Sequence, residues 1–89
     1  MSVYRFPPIA VKPKSFAEQV DKLYEEVDEV WDAYIDHVSV EAIAMELLDV
    51  IQAAETGLRM LPLDDEQIEE LRADDIKKNA MRGYYRTGD

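Results

Sequence analysis

Two stretches of helical period joined by a very short connection constrain this chain more than any other feature. Apolar residues recur at Phe16, Val20, Leu23, Tyr24, Val27, Val30, Trp31 and Tyr34, and again at Val40, Ile43, Ala44, Leu47, Leu48, Ile51, Ala54 and Leu58. That spacing marks one face of a helix. Ser15, with Glu18 three residues on, has the form of a capping box, and Ser39, with Glu41 in the first turn, reads as a second N-cap. The pattern predicts helices near 16–36 and from 40 up to the stop imposed by Pro62, with Gly57 weakening the last turns of the second. Joined only by Ile35-Asp36-His37-Val38-Ser39, in which His37 reads as a loop residue, the two should lie antiparallel. A third helix is expected from an N-cap at Asp64, paired with Gln67, through Ile68, Leu71 and Ile76 towards Gly83. Period-two alternation is absent beyond the N-terminal arm, so the expected class is all-α: an antiparallel helical hairpin plus a third helix.

The segment VYRFPPIAVKPK is punctuated by proline and reads as an extended arm. The expected organisation is an arm over 1–14, a helical domain over 15–86 and a tail over 87–89. With 89 residues the core is marginal, so a four-helix core completed by oligomerisation is expected. Cysteine is absent, which excludes disulfides and thiolate metal sites. Neither a signal-peptide core nor a span-length apolar run is present, and the expectation is a soluble cytoplasmic protein without a membrane partner. A net charge of -10 disfavours a nucleic-acid polymer as partner. The charge is uneven: three bases and no acid over 1–14, three bases and nineteen acids over 15–75, four bases and one acid over 76–89.

In the apolar run AIAMELLDVIQAA, Glu46 and Asp49 share one stripe with Gln52. An ionised carboxylate in such a setting needs a cation, either a side chain or a bound ion. At an offset of twenty residues, Glu26 falls on Glu46 and Glu29 on Asp49, in the same phase relative to the apolar stripes. Residues three apart project together from a helix, so an antiparallel pair would bring four carboxylates to one seam. Two unit charges about 5 Å apart at an effective dielectric of 20 repel by roughly 3 kcal/mol, and four charges make six such pairs. Such a cluster must be protonated in part, splayed into water, or neutralised by a divalent ion, for which Mg²⁺ or Mn²⁺ suits all-oxygen ligation. A solvated acidic stripe is the alternative reading of the same residues.

The pattern Glu26-Val-Asp-Glu29, sixteen residues, Glu46-Leu-Leu-Asp49 resembles the ExxE…ExxD boxes of the MazG-like all-α nucleoside triphosphate pyrophosphohydrolases, in the style of small single-domain phage and prophage members. The wider text EEVDEVWDAY and MELLDVIQAAETGLRML, and the basic KKNAMRGYY, are similar to that family as well. The resemblance implies a helical bundle completed as a dimer or tetramer, and cleavage of a nucleoside triphosphate into a monophosphate and pyrophosphate, as in house-cleaning of the nucleotide pool. It further implies Glu26, Glu29, Glu46 and Asp49 as Mg²⁺ ligands, one of them orienting or deprotonating the attacking water, and Lys78, Asn79 and Arg82 as phosphate or sugar contacts. Asp28 and Leu48 depart from it, standing where many members carry glycine.

Bound Mg²⁺ would reverse the repulsion between an acidic site and a polyanionic substrate, and phosphoryl chemistry needs positioning more than a covalent nucleophile. Lys77, Lys78, Arg82 and Arg86 suit a leaving pyrophosphate, and equally suit a helix C-terminus. Trp31 reads as core. Two other functions fit the same fold: a non-catalytic helical oligomerisation or regulatory module, and a phosphoribosyl-ATP pyrophosphatase.

Overall fold

The computed structural model describes residues 3–86, and the tail expected over 87–89 lies outside the described residues. The described residues form three helices: α1 (Phe16–Ile35), α2 (Val40–Arg59) and α3 (Asp65–Met81). Among the described residues there is no strand. The contacts define two compact units, one over Tyr4–Pro62 and one built on α3 from Leu63 onward together with Val3.

In the first unit, Ser15 Oγ accepts from the Glu18 N–H at 3.0 Å and starts α1. The Glu18 carboxylate, however, takes the N–H of Lys14 at 3.4 Å rather than that of Ser15, so the expected box closes on one side only. Ser39 caps α2 by accepting from Ala42 N–H at 3.1 Å. The turn between the helices is a Schellman motif: Val38 N–H reaches back to the Ala33 carbonyl, and His37 occupies the left-handed region at φ 54°. Helix α2 ends at Arg59, short of Pro62, where Met60 and Leu61 donate to the Gly57 and Leu58 carbonyls.

Helices α1 and α2 pack against one another. Gln19 Nε2 donates to the Ala53 carbonyl at 2.8 Å, and Phe16 and Gln19 each lie 3.9 Å from where a Cβ on Gly57 would stand. The start of α1 therefore meets the end of α2, the antiparallel arrangement expected. Buried and half-buried positions three and four apart mark the seam, at Gln19, Leu23, Glu26, Val30 and Ala33 on α1 and at Ile43, Glu46, Val50, Ala53 and Gly57 on α2, while Glu55 and Thr56 are buried on α2 besides. Each seam carries a glutamate.

The stripe expected to form the core lies largely outside this seam. Tyr24, Val27, Trp31, Tyr34, Leu47, Leu48 and Ile51 are between 45% and 69% exposed, so Trp31 is not a core residue within this chain. The reason is geometric: the apolar arc on each helix is wider than the one stripe a single neighbouring helix can cover.

The arm is irregular backbone, with neither helix nor strand over its described residues. Its start is attached to α2, where the buried Glu55 carboxylate accepts from the N–H groups of Arg5 and Phe6. In the second unit, Asp64 and Gln67 close a full capping box at the start of α3, Ile68 is buried, and Arg72 joins Glu69 at 2.8 Å and the Val3 carbonyl at 3.0 Å. Gly83 ends the helix at φ 78°, with Tyr84 N–H on the Asn79 carbonyl and Gly83 N–H on that of Ala80. No helix among the described residues is long and apolar enough to cross a membrane.

Candidate metal centre

Glu26 and Glu46 meet because each occupies a seam position of its own helix. Asp49, one turn beyond Glu46, lies on the same side of α2. One oxygen from each of Glu26, Glu46 and Asp49 falls within 4.8 Å of the other two. The three differ in environment: Glu26 is buried at 8% exposure, Glu46 half-buried, and Asp49 exposed at the rim. Glu26 Oε2 and Glu46 Oε2 are buried without a hydrogen-bond partner. Carboxylate oxygens accept and do not donate, so two ionised glutamates facing one another leave each other's lone pairs unsatisfied.

A side chain meets part of this charge. Lys22, one turn before Glu26, brings Nζ to 3.0 Å from Glu26 Oε1 and 3.8 Å from Glu25. The hydrogen bond to Glu26, and then the charge of Glu26, hold the Lys22 ammonium above its ordinary range. Among the described residues no cation pairs with Glu46 or Asp49.

Glu29 stands beside the trio. Its carboxyl is pushed above the usual range, first by the charge of Glu26 and then by a side-chain hydrogen bond to Glu26, with Glu46 adding in the same direction. Both neighbours favour the protonated form, Glu26 chiefly through its negative charge. Glu26, Glu46 and Asp49 thus bring one oxygen each within 4.8 Å of the others, and the charge of Glu26 acts on the exposed Glu29 carboxyl beside them.

A cleft of about 260 Å³ opens at this cluster, lined by Glu26, Asp49, Gln52, Thr56 and Gln19 from the helices and by Ile9 from the arm. Lys78, Asn79 and Arg82 occupy the last turn and C-cap of α3, in the second unit. There Lys78 pairs with Asp75 at 3.0 Å, and Arg82 N–H donates to the Lys78 and Asn79 carbonyls.

Sequence reasoning missed Lys22, Glu55 and Arg59. The signal for Glu55 was weaker, since it follows directly after the apolar run that singled out Glu46 and Asp49. No family model matches the chain, and comparison with curated proteins and with solved structures returns no match either.

Proposed function

We propose that the chain is a Mg²⁺-dependent nucleotide pyrophosphohydrolase that cleaves a nucleoside triphosphate between its α and β phosphates, with Glu26, Glu46 and Asp49 holding the ion and Mn²⁺ able to replace Mg²⁺. The observation that carries this reading is the pair of buried, unpartnered oxygens on Glu26 and Glu46, set within 4.8 Å of an Asp49 oxygen. Buried acceptors without donors are costly, and a hard divalent cation satisfies several at once. Held by Glu26, Glu46 and Asp49, the ion would supply positive charge towards a polyanionic substrate and would lower the pKa of an attacking water.

In the hydrolysis, a water oxygen bonds to the α phosphorus. The bond from that phosphorus to the bridging oxygen breaks, and its electron pair leaves on pyrophosphate. The water proton passes to a carboxylate, and we assign that role to Glu29, which stands outside the ligating trio. For Lys78, Asn79 and Arg82 the assignment to phosphate or sugar contact rests on the resemblance alone. The reading includes self-association as a dimer or tetramer, in which a second copy covers Val27, Trp31, Leu47 and Ile51. Their exposure supports this, because large apolar side chains left in water on both helices favour burial against a partner.

One observation favours a second reading. Lys22 already satisfies one oxygen of Glu26, as it would in a non-catalytic helical module whose acids are paired internally. Melting with and without millimolar Mg²⁺ separates the two, since a ligand of the native state alone stabilises by about 2.7 kcal/mol at a hundred times its Kd. The enzyme reading expects a rise in the wild type that Glu46→Gln lacks, and pyrophosphate release from a nucleoside triphosphate that Glu46→Gln and Asp49→Asn both abolish. Turnover retained in both variants would overturn the ligand assignment.

A further inference from the structure

The N-terminal arm reaches the candidate site from a direction that the acidic boxes do not account for. Glu55 is buried on α2, and its carboxylate accepts from Arg5 N–H at 2.9 and 3.0 Å and from Phe6 N–H at 2.9 Å. One turn on, Arg59 donates through Nη2 to the Phe6 carbonyl at 2.7 Å and lies 4.0 Å from the Tyr4 ring centroid. A carboxylate buried at this depth is costly unless its acceptors are filled, so the arm and Glu55 hold each other in place. Beyond this attachment Pro7 and Pro8 restrict the backbone, and the chain arrives at Ile9.

Ile9 lines the 260 Å³ cleft at Glu26 and Asp49. It also lines a second depression of about 500 Å³, which shares Gln19 and Lys22 with the first and adds Lys12 of the arm beside Glu18, Asp21 and Glu25 of α1. Lys12 forms no ion pair among the described residues. The attachment at Arg5 and Phe6 thus lies just before Ile9, the residue of the arm that borders the cluster.

We propose that the arm is a wall of the ligand site, and that Glu55 and Arg59 are the positioning residues that hold it there. The inference rests on the nucleotide reading above. With the phosphates at the Glu26 and Asp49 end of the cleft, the uncharged part of the ligand rests against Ile9, and Lys12, on the border of the adjoining depression, is the cation of the arm available to the phosphate charge.

The test uses the full chain with Mn²⁺ and the α,β-methylene analogues of the deoxynucleoside triphosphates, which bind without turnover, read by calorimetry. Glu55→Gln, Ile9→Ala and Lys12→Ala are compared with wild type, and amide exchange at Arg5 and Phe6 reports whether the arm is attached. Mn²⁺ alone is expected to bind every variant as it binds wild type. The analogue is expected to bind each variant roughly tenfold more weakly, with faster exchange at Arg5 and Phe6 in Glu55→Gln only. Should Glu55→Gln fail to fold, Ile9→Ala and Lys12→Ala carry the test, since neither touches the attachment. Equal analogue affinity in wild type and variants overturns this inference and leaves the nucleotide reading standing. A wild type that takes up no analogue removes both.

Discussion

Glu29 is the residue whose chemistry follows most directly from its neighbours. The charge of Glu26 holds its carboxyl above the ordinary value of 4.5, so the folded chain keeps a proton there that the unfolded chain releases. Between the ordinary and the raised value the folded state binds more protons, and stability therefore falls as pH rises through that window. The metal-free protein should lose stability on going upward from pH 4.5, and Glu29→Gln should flatten that slope in denaturant titrations across pH. An unchanged slope would mean that the seam carboxylates are not coupled. Glu55, directly after the apolar run, differs: backbone N–H groups of Arg5 and Phe6 meet its charge. That the run carried displaced acids was legible in the residues, but which acid received which partner was not. The donors come from about fifty residues away for Glu55, and from one turn away for Glu26.

The elements themselves were largely legible, because caps are local. Asp64 and Gln67 form the box their spacing announced, and Gly83 terminates α3 in the left-handed region where glycine lacks the Cβ penalty. Asp64→Ala should lower stability by about 1 kcal/mol, read as a shift in urea midpoint without a change in slope. His37 is the counterpart at the end of α1, a position that requires positive φ but carries a side chain. His37→Gly should raise stability by roughly 1 kcal/mol and His37→Val should lower it, since a β-branched residue is strained there. Glu18 shows the limit of local reading: its spacing fits a box with Ser15, yet its carboxylate reaches Lys14, whose direction is set by the path of the arm.

At the scale of the whole molecule, the two helices leave their broadest apolar arcs uncovered, with Leu47 50% and Ile51 45% exposed. Sedimentation should therefore report a dimer or tetramer, and Ile51→Lys should shift it towards monomer, because a charge buried in a new interface is costly. A wild type that remains monomeric at high concentration would remove self-association from the proposal. Helical period, the turn residues and the phase of the two acidic boxes were properties of the sequence alone, since each depends on neighbours within about one turn. They determined three helices and the antiparallel hairpin, and they put Glu26 and Glu46 in the same phase of their helices. Which arc of each helix became the seam was decided only by the tertiary structure. A helix with apolar residues over a wide arc has several faces of similar burial energy, and the choice among them falls to partners distant in sequence. Gln19 on Ala53, Phe16 beside Gly57 and the arm held by Glu55 made that choice here. It left the acids in the seam and the aromatic residues outside it.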